Sequence, residues 1–108
     1  LAPEGLVRAE QHLGDLLVFE GAAVARRIAA RSLAPLEGLT DRARERMLET
    51  AVSFLRHRGS SVAMARALGV HPQTARYRVA RLRELLGDRL DDPDGRFELE
   101  IALRALDR

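Results

Sequence analysis

The sequence predicts an all-α fold, a helical bundle, on three observations. Apolar residues recur at three- and four-residue spacing along most of the chain. No segment shows the strict alternation of a half-buried strand. Capping residues precede the periodic runs, and Gly or Pro punctuates them. With 108 residues, 46% of them hydrophobic, the chain is the size of one domain with a modest core.

Taken in order, the first run is Leu6, Ala9, Leu13, Leu16 and Leu17, a helix interrupted by Gly14. Leu16 to Phe19 reads alternatively as a short buried strand. Residues 22–32 form a second helix, with Val24, Ala25, Ile28 and Ala29 inward. Pro35 and Gly38 break the pattern in a connector whose leucines make it packed and not a free linker. Thr40 caps a long helix, 41–57, with Gly59 just beyond it. Its apolar face is Ala43, Met47, Leu48, Ala51, Val52, Phe54 and Leu55. Ser60 and Ser61 offer an N-cap for a short helix ending at Leu68. Gly69 and Val70 make a turn, and residues 72–86 are helical again, closed by Gly87. Asp92 caps the last helix, with Pro93 in its first turn and Asp94 well placed for the helix dipole. The chain thus divides into a helical segment and connector belonging to an upstream region, 1–38, and a compact unit, 39–108. Leu1 in place of an initiating Met points to a piece of a longer protein.

Composition excludes several classes. Without Cys there is no disulfide scaffold, thiolate metal site or Cys nucleophile, which fits a reducing cytoplasm. No run of about 18 apolar residues exists to span a membrane, and no leader pattern marks the chain for secretion. P-loop, dinucleotide fingerprint, nucleophile elbow and HExxH are all absent, so no enzyme and no cofactor are expected. His12 and His57 have no ligand-spaced partner, and Asp91, Asp92 and Asp94 lack the spacing and closing Glu of an EF-hand; no metal site is expected.

Charge distribution says more than net charge. Lys is absent, so all 18 basic residues are Arg, a bias that matches a GC-rich coding background and is no signal by itself. The window from Arg56 to Arg89 holds eight Arg and two acids, Glu84 and Asp88, a net of +6, whereas the rest of the chain is −4. A basic block in an acidic frame is the footprint of a nucleic-acid binder.

Inside that block, Ser60 to Leu86 meets the demands of a helix-turn-helix. Ala65 supplies a small residue at the helix crossing, four before the turn glycine. Gly69 can take the left-handed conformation needed to leave the first helix, and Val70 plugs the corner. Ala75, Val79, Leu82 and Leu86 make one inward stripe, with Phe54, Leu55 and Leu68 completing the expected core. Gln73, Tyr77, Ala80 and Glu84 then face outward, flanked by Thr74, Arg76 and Arg81. Gln73, Thr74, Arg76 and Tyr77 are the side chains expected to contact bases in a major groove, Arg76 a guanine and Gln73 an adenine. Arg58, Ser60, Ser61, His71, Arg81 and Arg83 are expected on phosphates, the helix starts supplying free N–H groups. His71 reads equally as a cap or a phosphate ligand. Arg78, on the flank of the stripe, reads as an intramolecular or phosphate partner.

The segment Val70-His71-Pro72-Gln73-Thr74-Ala75-Arg76-Tyr77-Arg78-Val79, with Arg81 to Gly87 after it, resembles the C-terminal DNA-binding domain of PucR/CdaR-type bacterial transcription regulators. Leu90-Asp91-Asp92-Pro93-Asp94-Gly95-Arg96-Phe97-Glu98-Leu99 is similar to the same family's closing segment, and residues 33–36 and 49–55 also fit its pattern. The resemblance covers roughly residues 33–106. It implies a helix-turn-helix of the Fis-like type, a gene-regulatory role, and an effector ligand, if any, bound by an upstream region absent from this chain.

Two classes of function follow: sequence-specific binding of double-stranded DNA as the C-terminal domain of a regulator, or a helical interaction and dimerisation module that keeps the shape without binding DNA. One recognition helix reads only a few base pairs, so a homodimer on DNA is expected. The acidic, leucine-rich flanks are free to pack on the core or on a partner.

Overall fold

The computed structural model describes residues 12–106, which are helical nearly throughout, with no strand among them. The expected leucine periodicity at Leu6 and Ala9 lies outside the described residues. Helix α1 is Leu13–Glu20 and α2 is Ala22–Leu33. A 3-10 turn at Ala34–Leu36 leads to α3, Asp41–Arg56. Helices α4, Ser61–Leu68, and α5, Pro72–Leu86, follow. A second 3-10 turn, Gly87–Leu90, precedes α6, Pro93–Leu106.

The helix ends sit where the capping chemistry puts them. Thr40 Oγ1 accepts from the Ala43 N–H at 3.2 Å, Ser60 Oγ from Ala63 N–H at 3.3 Å, and Asp92 Oδ2 from Gly95 N–H at 2.8 Å. Leu16 to Phe19 is helix, not strand. Leu17 and Phe19 lie mostly in solvent, so the burial that would favour a strand there does not exist.

Two packed regions share one core. Helix α2 lies along α6 in the most extensive helix contact, while α5 rests on α4 and α3. Leu33, Leu36, Phe54, Met64, Leu82 and Leu99 join in a continuous buried cluster, so the leucine-rich connector is packed as its composition requires. The inward stripe of α5 is buried along its length. Val70 and Leu55 are half-buried against the core. Three inward assignments differ. Val24 is 60% exposed and Val52 is at the surface, since α2 and α3 each turn a narrower stripe inward than their apolar content suggests. Leu68 is half-buried and lines a surface cleft with Val52 and Leu103.

One close approach fixes the start of α6. A Cβ placed on Gly95 would lie 2.7 Å from Arg89 Cα and 2.9 Å from its carbonyl oxygen. Those are backbone atoms and cannot swing aside. Exposed ion pairs tie α6 to the first two helices: Arg104 meets Asp15 at 2.7 Å and Arg31 meets Glu98 at 2.7 Å, while Arg104 also meets Glu100 of its own helix at 2.9 Å. At surface exposure such pairs contribute about 0.2–1 kcal/mol each.

Candidate nucleic-acid interface

The interface is built on the turn between α4 and α5. Gly69 adopts φ +71°, and the N–H groups of Gly69 and Val70 both turn back to the Ala65 carbonyl, the latter at 3.0 Å. This closes α4 with the left-handed cap expected of a glycine there. Ala65 and Ala75 are both fully enclosed, which is what a close crossing of the two helices demands. Pro72 opens α5 with φ already helical and no N–H to satisfy.

His71 caps α5: its Nδ1 accepts from the Gln73 N–H at 3.0 Å. An accepting Nδ1 leaves the ring proton on Nε2, so the outer edge of the imidazole remains a donor. Cap and phosphate donor, the two readings of His71, are therefore chemically compatible in one side chain.

The outward face of α5 carries three of the four side chains expected on bases. Gln73, Arg76 and Tyr77 are exposed, Tyr77 at 74%. Thr74 is half-buried and turns toward α3. Arg76 donates through Nε (3.2 Å) and Nη2 (2.5 Å) to Gln73 Oε1. That pairing uses the amide oxygen of Gln73 and one edge of the guanidinium. The other, end-on edge of Arg76 stays open.

Of the expected phosphate ligands, Ser60 is the exposed cap of α4 and Ser61 its half-buried first residue. Arg58 is exposed and holds φ +51°, the one positive φ outside glycine among the described residues. Gly59 follows at φ +76°, over the Phe54 ring. Arg81 is exposed, 3.6 Å from Glu84. Arg83 stands apart: its Nε and Nη2 donate to Asp91 at 3.0 and 2.9 Å, and its guanidinium lies 5.8 Å from the Phe54 ring centre. That pairing, chiefly its hydrogen bonds, lowers the Asp91 pKa and raises that of Arg83. Sequence reasoning missed this clasp because its acid lies across the second 3-10 turn. It also passed over Arg46, exposed on α3 and outside the basic block.

No helix of the described residues is long and apolar enough to cross a membrane. The chain is 38% identical over 78 residues to a Thermomonospora curvata protein described as an uncharacterized protein in the pkwA 5'region, a match covering 71% of this chain and 43% of that protein. It thus spans less than half the length of that curated relative. No solved structure matches. The family model of the PucR C-terminal helix-turn-helix domain matches residues 47–105, which begins inside α3 and takes in the turn, α5 and nearly all of α6. The chain belongs to the PucR C-terminal helix-turn-helix family.

Proposed function

We propose that this chain binds double-stranded DNA sequence-specifically, as the DNA-reading end of a bacterial transcription regulator working in the cytoplasm, and performs no catalysis. The observation that carries the reading is the exposed face of α5: Gln73, Arg76 and Tyr77 project from a helix pinned by His71, and no acid occurs from Thr50 to Arg83. Helix α5 enters the major groove with Arg76 end-on to a guanine, held by Gln73, while Thr74 and Tyr77 meet neighbouring edges or methyl groups. Arg58, Ser60, Ser61, His71 and Arg81 hold phosphates. Arg83 is left out of that set because its charge is already compensated by the Asp91 carboxylate.

A homodimer on DNA is part of this proposal. The apolar groove between α1, α2 and α6, where Leu17, Val24 and Phe97 stand largely exposed, supports a protein partner on the side that does not carry the reading helix. Any effector ligand binds a region beyond this chain.

Fluorescence anisotropy with duplex DNA between 50 and 200 mM salt tests the reading. Binding whose logarithm falls steeply with log salt supports it, by about 0.9 per phosphate neutralised. Absence of such binding, with self-association intact, leaves the interaction module instead.

A further inference from the structure

A groove of about 400 Å³ runs between α3 and the flank of α5. Its floor is apolar, formed by Leu39, Ala43 and Met47, and its walls carry Arg46 from α3 and Arg78 and Arg81 from α5. No acid lines it. The guanidinium groups of Arg46 and Arg78 make no ion pair or hydrogen bond among the described residues. Arg46 and Arg78 are like charges on one groove, beside Arg81, whose charge is met in part by Glu84 at 3.6 Å; their repulsion costs free energy in the absence of an anion. Low-dielectric walls also concentrate their field toward the opening.

The position of the groove names the anion. Thr74 and Tyr77 line it too, and both stand at or beside the outward face of α5. Residues 74, 77, 78 and 81 follow three- and four-residue spacing along that one flank. A duplex that receives α5 in its major groove, about 12 Å wide, brings a sugar–phosphate strand along each side of the helix. The strand on the α3 side passes over this groove.

Resting on the DNA-binding reading, we infer that Arg46 and Arg78, together with Arg81, form a cradle for backbone phosphate of duplex DNA, extending the interface onto α3. This assigns a contact to a helix that precedes the helix-turn-helix and to a residue, Arg46, outside the matched family segment. Arg78 thereby takes the phosphate role, since it pairs with no acid among the described residues.

The test is the salt dependence of duplex binding by the full 108-residue chain and by Arg46→Gln, Arg78→Gln and Arg27→Gln, each first shown to melt as the parent does. Arg27 is an exposed arginine of α2 away from the groove, so its variant controls for lost charge alone. The slope falls by about 0.9 in each groove variant, equally on all DNA sequences, and stays at the parent value for Arg27→Gln. Parent-like slopes for Arg46→Gln and Arg78→Gln, with steep parent binding, overturn the cradle and leave the DNA reading standing. A parent chain without salt-dependent binding overturns both.

Discussion

Arg83 holds Asp91 through two parallel hydrogen bonds while its guanidinium lies over Phe54, so one side chain joins α5, the second 3-10 turn and the end of the core. The carboxylate is stabilised by these donors, and its proton affinity is lowered. A group whose folded-state pKa is depressed contributes stability above its unfolded value and loses it as pH falls through the folded one. The contribution of this clasp is therefore unchanged through neutral pH and disappears in acid, below the ordinary carboxylate range. NMR titration of Asp91 checks it: Arg83→Gln moves the midpoint upward, and an unmoved midpoint shows that the clasp is absent in solution.

Gln73 and Arg76 act as a unit. With its amide oxygen already accepting from Arg76, Gln73 lacks the acceptor that bidentate adenine readout requires. Arg76→Ala is expected to lose about 1–3 kcal/mol on the preferred site. Gln73→Ala weakens discrimination at the same guanine and at no separate adenine. Selection from random duplexes with each variant reads this directly; an adenine preference lost only in Gln73→Ala refutes the pairing on DNA.

Arg58 occupies a backbone region where a side chain carries a penalty of about 1–2 kcal/mol. Arg58→Gly relieves that strain and offsets it in part by added freedom of the unfolded chain, giving a rise of up to about 1 kcal/mol in unfolding free energy. The same variant lowers the salt slope of DNA binding by about 0.9 if Arg58 meets a phosphate. Greater stability with undiminished binding would assign Arg58 no part in the interface.

Ser32 and Ser53 bury hydroxyl oxygens that find no hydrogen-bond partner among the described residues. Ser32 is completely enclosed, so its hydroxyl loses water and gains nothing in exchange. Ser32→Ala is expected to raise unfolding free energy by about 1 kcal/mol, read from urea denaturation. A loss of similar size would mean that the hydroxyl is satisfied in solution.

Much of the fold was legible because its punctuation is local. Thr40, Ser60, His71-Pro72 and Asp92-Pro93 act within four residues of themselves, and the helices begin where these stand. The bounds of α5 and the left-handed Gly69 were readable for the same reason. What escaped depends on where helices meet. Val24 is as apolar as Ile28, but α6 covers the side of α2 that carries Ala25, and no property of Val24 announces that. Arg83 lies in the basic block with the same charge as Arg81, and only the path of the Gly87–Leu90 turn brings Asp91 to it. Arg46 shares a groove with Arg78 and Arg81 of α5, a neighbourhood that charge counting along the chain does not register.

The contact between Gly95 and the backbone of Arg89 bears on how genetics of such a protein is interpreted. Any side chain at Gly95 pushes α6 off the preceding turn, with overpacking of about 1–3 kcal/mol or more, although the position lies outside the proposed reading surface. A reporter screen for lost regulation would score Gly95 variants beside those of Arg76. Protein abundance in the cell separates the two groups: Arg76 variants accumulate normally, whereas Gly95 variants are depleted by proteolysis of the unfolded chain.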